Sequence, residues 1–113
     1  MRVLVCGSRH FNDYELLERT LSEIEITEVI EGEARGADTF SRIYAERHGI
    51  PVLRFPAEWD KYGKAAGPIR NSQMLTEGKP QLVVAFLGPN SRGTQNMINQ
   101  AKKANIPVKV IEI

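Results

Sequence analysis

Several features are scarce in this chain of 113 residues, and each scarcity excludes a class of protein. The only cysteine, Cys6, cannot form an intrachain disulfide, and we interpret it as a small buried apolar residue. No apolar run approaches the roughly 20 residues of a membrane span. A signal-peptide hydrophobic region is also missing, so we expect a cytoplasmic protein with no membrane partner. The two histidines stand apart without metal-ligand spacing, and we expect neither a metal nor another cofactor.

The chain also lacks an excess of either positive or negative charge. The 15 basic residues nearly balance the 14 acidic ones, and no block of like charges occurs. Proteins that follow a nucleic-acid backbone gain much of their affinity from a basic surface, so we expect no nucleic-acid partner. Any positive potential must be local, which suits a pocket for a small molecule.

Short apolar runs alternate with amphipathic segments along the whole chain. The patterns predict strands at residues 3–6, 28–31, 51–55, 81–87 and 108–113. They also predict helices at residues 16–24 after an Asp13 cap, and at 37–48, 68–77 and 94–104, with 56–66 irregular. Alternating strands and helices indicate a single α/β domain over residues 1–113. The expected fold is an open, doubly wound, mainly parallel five-stranded sheet with helices on both faces.

Glycine-bearing turns punctuate this pattern, and each of them carries an arginine. Glycine lets a backbone approach a ligand closely, helix starts attract anions, and arginine pairs with phosphate through two hydrogen bonds. The combination predicts a site for a phosphorylated, nucleotide-like small molecule. Three of the turns follow strands directly, so we expect them at the same edge of the sheet, and the turn at 67–71 could reach that edge too. The four turns are residues 7–9, 32–38, 67–71 and 88–94.

Four motifs in this order resemble the SLOG superfamily, within its YspA/YpsA-related branch. They are Gly7-Ser8-Arg9; Gly-x-Ala-Arg-Gly-Ala-Asp at 32–38; Glu58-Trp59 followed by Gly-Pro-x-Arg-Asn-x-x-Met at 67–74; and Gly-Thr-x-Asn-Met at 93–97. The resemblance extends from Val3 to about Val110. It implies a Rossmann-like fold that binds nucleotides or nucleotide-derived ligands, and a homo-oligomer.

The relatives within this superfamily differ in activity. LOG phosphoribohydrolases cleave a nucleoside monophosphate between base and ribose, others sense ligands derived from NAD or ADP-ribose, and a DprA-like branch binds single-stranded DNA. The LOG hallmark is similar to Pro-Gly-Gly-x-Gly-Thr-x-x-Glu, and in this chain Met97 stands at the place of its glutamate. Glycosidic cleavage normally needs a carboxylate. An enzyme of this type would therefore need a carboxylate from elsewhere, and the candidates are Asp38, Glu33 and Glu58.

Each candidate also has a purely structural interpretation. Ser8 could simply stabilise a turn, and Thr94 could cap a helix. Trp59 could pack against the core or a lid and not stack on a base or close over a ligand. Asp38 could accept hydrogen bonds from ribose, pair with an arginine, or only favour the start of its helix. The candidate ligand-binding residues are Gly7, Ser8, Arg9, Gly32, Arg35, Gly36, Asp38, Trp59, Arg70, Asn71, Gly88, Gly93 and Thr94.

The motifs favour a module that senses or sequesters a phosphorylated nucleotide or an ADP-ribose-type ligand. The alternative is a nucleotide-processing N-glycosidic hydrolase that uses a carboxylate outside the LOG position. DprA-like binding of single-stranded DNA is a third hypothesis, which the near-neutral charge disfavours.

Overall fold

Five parallel strands form the centre of the structure, a computed structural model that describes residues 1–113. They lie in the order β3-β2-β1-β4-β5, so the predicted doubly wound parallel sheet is confirmed. The central strands β1 and β4 are the most apolar, because both of their faces are covered by helices. The strands are β1 (Arg2–Gly7), β2 (Glu28–Glu31), β3 (Val52–Arg54), β4 (Leu82–Leu87) and β5 (Val108–Glu112).

Helices cover the two faces of the sheet in pairs. One core, with Phe11, Leu17 and Phe86 at its centre, forms under α1 and α2, and the other, around Leu4 and Met74, forms under α4 and α5. The predicted Asp13 cap is present, because its Oδ1 accepts a hydrogen bond from the Leu16 amide at 3.1 Å. None of the helices is long and apolar enough to cross a membrane. The helices are α1 (Tyr14–Ser22), α2 (Ala37–Arg47), α3 (Trp59–Tyr62), α4 (Ala66–Thr76) and α5 (Arg92–Lys103).

The segment before α4 differs from its prediction. Residues 56–66 are not wholly irregular, since α3 and a 3-10 turn at Gly63–Ala65 lead directly into α4. A single turn such as Trp-Asp-Lys-Tyr is too short to show helical periodicity. Pro68 therefore sits in the first turn of α4, where its missing N–H leaves no hydrogen bond unmade. Likewise, α5 begins at Arg92, two residues before its predicted start.

The order of the strands determines where a ligand can reach the sheet. The chain moves outward from β1 to β2 and β3, then returns to the other side of β1 with β4 and β5. The connections after β1 and β4 thus lead to helices on opposite faces. A crevice opens between such connections at the carboxyl ends of the strands, which is the usual ligand position in open α/β sheets.

Candidate functional site

The loops after β1 and β4 are in direct contact at the carboxyl edge of the sheet. A Cβ added at Gly88 would lie 3.1 Å from the Ser8 Cβ and 3.3 Å from the Ser91 Oγ. The Ser8 amide donates to the carbonyl of Phe86 at 3.0 Å, and the Gly88 amide donates to the Ser91 Oγ at 3.1 Å. Glycine at position 88 is what allows the two loops to approach so closely.

The loop after β2 packs against the same edge. Gly36 has a φ of 74°, in the region that favours glycine, and a Cβ there would overlap the carbonyl oxygen of Ser8. Gly7 is equally crowded, because a Cβ at that position would lie 2.7 Å from the Cβ of Ala37. The first and second glycine turns are therefore built around a close contact between their backbones.

The third glycine-bearing segment forms the start of a helix, as expected, and residues 67–71 all lie within α4, which begins at Ala66, two residues before its predicted start. From this helix, Arg70 Nη1 donates to the carbonyl of Gly32 at 2.5 Å. The buried Asn71 side chain donates to the carbonyl of Gly93 at 3.2 Å and to Asn96 Oδ1 at 3.1 Å. Helix α4 is thus hydrogen-bonded both to the loop after β2 and to the start of α5.

The start of α5 carries unused hydrogen-bond donors. No side chain caps this helix, and the amides of Gly93 and Thr94 have no acceptor within the chain. Thr94 is the third residue of α5, so it is not the N-cap residue, a position that Ser91 occupies. A Cβ added at Gly93 would meet no atom within 4 Å. Free amides at an open helix start form an anion site.

Three arginines that follow the ends of β1, β2 and β4 along the chain have no ion-pair partners. Arg9, Arg35 and Arg92 are exposed, and none of them forms an ion pair within the chain. Their guanidinium groups remain available for phosphate, in contrast to Arg70, whose guanidinium also donates to Asn71 Oδ1 at 3.1 Å.

Asp38, the second residue of α2, packs against the loop after β2, with only 4% of its surface exposed. Its Oδ2 accepts hydrogen bonds from the amides of Gly32 at 3.0 Å and Ala34 at 3.2 Å. Burial raises the pKa of Asp38 to about 6, against the opposing effect of the Arg70 charge and the two amide bonds. These two hydrogen bonds therefore fix the conformation of the loop against the start of α2.

Glu31, at the end of β2, is a buried carboxyl group that sequence reasoning missed. It is fully buried, and its Oε1 accepts a bond from the Glu33 amide at 2.5 Å while Oε2 has no hydrogen-bond partner. Burial raises its pKa to about 7, and the nearest cation to Oε2 is Arg54 Nε at 4.0 Å. The available signal was a glutamate that ends an apolar strand directly before a glycine turn.

The remaining candidates lie farther from these contacts. Trp59 is 59% exposed on α3, and its ring would lie 3.5 Å from a Cβ added at Gly67. Glu58 precedes α3 and caps it with no side-chain bond. Glu33 pairs at 3.7 Å with Arg54, on the β3 side of the sheet. No hydrogen bond or ion pair within the chain links Trp59 or Glu58 to the start of α5.

A cavity of about 410 Å³ opens where the strand order reverses. The connection after β1 contributes Ser8 and Phe11, the connection after β4 contributes Gly88, and β5 adds Glu112 from its end. Ser8 and Gly88 also form the contact between the first and fourth glycine turns, so the cavity and the loop that leads to α5 share a wall.

The fold and these loops define a doubly wound α/β protein with its candidate site at the reversal of strand order. Residues 1–62 match the YspA, cpYpsA-related SLOG family, and the chain belongs to this family. It is similar to the Gene 61 protein of Mycobacterium phage D29, with 33% identity over 118 residues that cover 95% of this chain and 93% of that protein.

A solved structure shares the fold. DNA processing protein A (DprA) from Streptococcus pneumoniae superimposes with a TM-score of 0.77 at 20% identity, over 96% of this chain and 49% of that one. The chain therefore spans about half the length of DprA. At this level of identity the likeness concerns the fold alone.

Proposed function

We propose that this protein binds a phosphorylated nucleotide or nucleotide-derived small molecule, such as an ADP-ribose-type ligand, and senses or sequesters it. The observation that carries the proposal is the start of α5, where the amides of Gly93 and Thr94 lack acceptors and a Cβ added at Gly93 would meet no atom within 4 Å. A phosphate placed there accepts both amide bonds and gains from the helix dipole.

The surrounding residues divide into two roles. Arg9 and Arg35, which are exposed and unpaired, neutralise the charge of the ligand, and the Thr94 hydroxyl adds a donor. The crowded glycines and the pair Arg70 and Asn71 keep the loops in place, because their contacts are already made within the protein. Trp59 remains an exposed ring that can close over a ligand.

Binding without cleavage is favoured by the position of Met97. This residue stands where LOG enzymes carry their glutamate, and it is fully buried in the core under α5. Asn96 beside it is not acidic either, so no carboxylate stands at this position of the chain.

N-glycosidic hydrolysis is the second candidate function, and one observation favours it. Asp38 has a pKa raised to about 6, which allows a carboxyl group to exchange a proton near neutral pH. Incubation with nucleoside monophosphates and detection of free base tests this candidate. Base release that is lost in Asp38→Asn or Glu58→Gln would replace the binding proposal with an enzyme.

The direct test of binding combines native mass spectrometry with calorimetry. We expect protein purified from cells to carry a nucleotide-sized ligand. We also expect Arg9→Ala and Thr94→Ala to weaken binding of AMP or ADP-ribose by about tenfold or more, since each removes a hydrogen bond to a charged group.

The matched control is Arg19→Ala, an exposed arginine in the last turn of α1, at the opposite edge of the sheet. Unchanged affinity in Arg9→Ala and Thr94→Ala would refute the assignment of the site. Tight, steeply salt-dependent binding of single-stranded DNA, with no nucleotide bound, would favour a DNA-binding function instead.

A further inference from the structure

The crevice between the connections after β1 and β4 has the size and lining of a ligand subsite. Its volume is about 410 Å³, near the lower end of the roughly 300–1,000 Å³ typical of small-molecule sites. That space suits one nucleoside better than a whole dinucleotide. Its apolar lining comes from Phe11, Leu16 and Ile113.

The apolar floor of the crevice is formed by a side chain that is packed into the core. The Phe11 ring packs against Phe86 with centroids 4.8 Å apart and against Phe40 at 5.9 Å. Phe11 is 5% exposed, so its position is determined by the core and not by solvent. A flat, weakly polar group can lie on such a floor without a change of the protein conformation.

The polar lining of the crevice is acidic and has unused acceptors. Glu112 is exposed and forms no ion pair within the chain. Asp13 uses Oδ1 to cap α1, and no hydrogen bond within the chain is made to its Oδ2. His10 and Asn12 add further polar groups to the same lining. Two carboxylates repel a phosphate and attract hydroxyl or amino donors.

We propose that this crevice is the nucleoside subsite of the ligand, in which Glu112 and Asp13 accept hydrogen bonds from ribose hydroxyls or from amino groups of the base. This inference rests on the proposed function, because the nucleoside in the crevice and the phosphate at the start of α5 belong to the same ligand. The phosphate end lies at the start of α5, and the ligand crosses the shared wall formed by Ser8 and Gly88.

The experiment compares ligands with and without a base. Calorimetry measures binding of AMP, GMP and ADP-ribose, and of ribose 5-phosphate, to the parent and to the double variant Asp13→Asn/Glu112→Gln. In both substitutions the new side chain has nearly the same shape as the old one. Asparagine is also a good N-cap residue, so we expect α1 to begin at the same residue in the variant. The single variant Glu112→Gln provides a second measurement at an exposed position, and Glu77→Gln, at the other end of α4, is the matched control.

We expect the parent to prefer its best nucleotide over ribose 5-phosphate by about tenfold or more. In the double variant the best nucleotide binds about tenfold more weakly, because hydrogen bonds to charged acceptors are lost. Ribose 5-phosphate weakens equally where the carboxylates hold ribose hydroxyls, and keeps its affinity where they hold an amino group of the base. An unchanged affinity for the best nucleotide in both variants would overturn the subsite. Failure of every phosphorylated probe to bind the parent would overturn the proposed function, and the subsite with it.

Discussion

The buried carboxyl group of Glu31 predicts an unusual dependence of stability on pH. Its pKa is raised from an ordinary value of 4.5 to about 7 by burial, so the folded protein holds a proton that the unfolded chain has already released. A group with a raised folded pKa contributes stability that is complete below its unfolded value. This stability is lost as the pH rises toward the folded value. The protein should therefore lose stability between pH 4.5 and about 7.

The size of the effect follows from the shift of the pKa. Each unit corresponds to about 1.4 kcal/mol, so the full shift is worth at most about 3–4 kcal/mol. The Arg54 side chain lies 4.0 Å from Glu31 Oε2 and is 46% exposed. Because water reaches this pair and screens its charges, the contribution to stability is smaller than that upper limit. We expect the stability of Glu31→Gln relative to the parent to rise by about 2 kcal/mol between pH 5 and pH 8.

Urea unfolding followed by far-UV circular dichroism at pH 5 and pH 8 measures this difference. Glu77→Gln, at the exposed C-terminal end of α4, is the control and should change stability by less than about 0.5 kcal/mol at either pH. An equal difference between Glu31→Gln and the parent at both pH values would contradict the reasoning. It would mean that the Glu31 carboxylate is ionised at no cost in the folded protein.

Three further predictions concern the loops and the start of α5. Gly93→Ala should raise stability by up to about 1 kcal/mol, because the added Cβ meets no atom, yet weaken phosphate binding in calorimetry. Unchanged binding would mean that no ligand approaches this backbone. Gly36→Ala should lose about 2–4 kcal/mol in urea unfolding, whereas Gly49→Ala, with positive φ but open space, should lose only about 1 kcal/mol. Asn71→Ala should lose about 1–3 kcal/mol by the same measurement, because buried partners of its side chain are left without a hydrogen bond. A loss as small as that of exposed Asn99→Ala would refute that role.

The arrangement of strands could be predicted because the signals are strong and local. The runs at β1 and β4 are apolar on both faces, as a strand buried in a parallel sheet requires. Since parallel strands end at one edge, the meeting of the loops after β1, β2 and β4 also followed from the pattern. The contacts between Gly36, Gly88 and Ser8 agree with that expectation.

The parts that were missed depend on packing between distant elements. Glu31 is approached by Arg54 from the neighbouring strand and accepts a hydrogen bond from the amide of Glu33, which has a φ of 58°. The reach of Asn71 to Gly93 depends on how α4 packs against α5. No local pattern of apolar residues contains that information. The short helix α3 was missed for a different reason, since four residues are too few to show periodicity.

The most direct test of the proposed function is a nuclear magnetic resonance titration of the isotope-labelled protein with ADP-ribose and with pyrophosphate. We expect the amide signals of Gly93 and Thr94 to shift most with both ligands, since these two amides lack acceptors within the chain. Signals of Gly49 and Gly78, which follow the C-terminal ends of α2 and α4, should not move. Shifts confined to residues away from the start of α5, or no shifts at millimolar ligand, would contradict it.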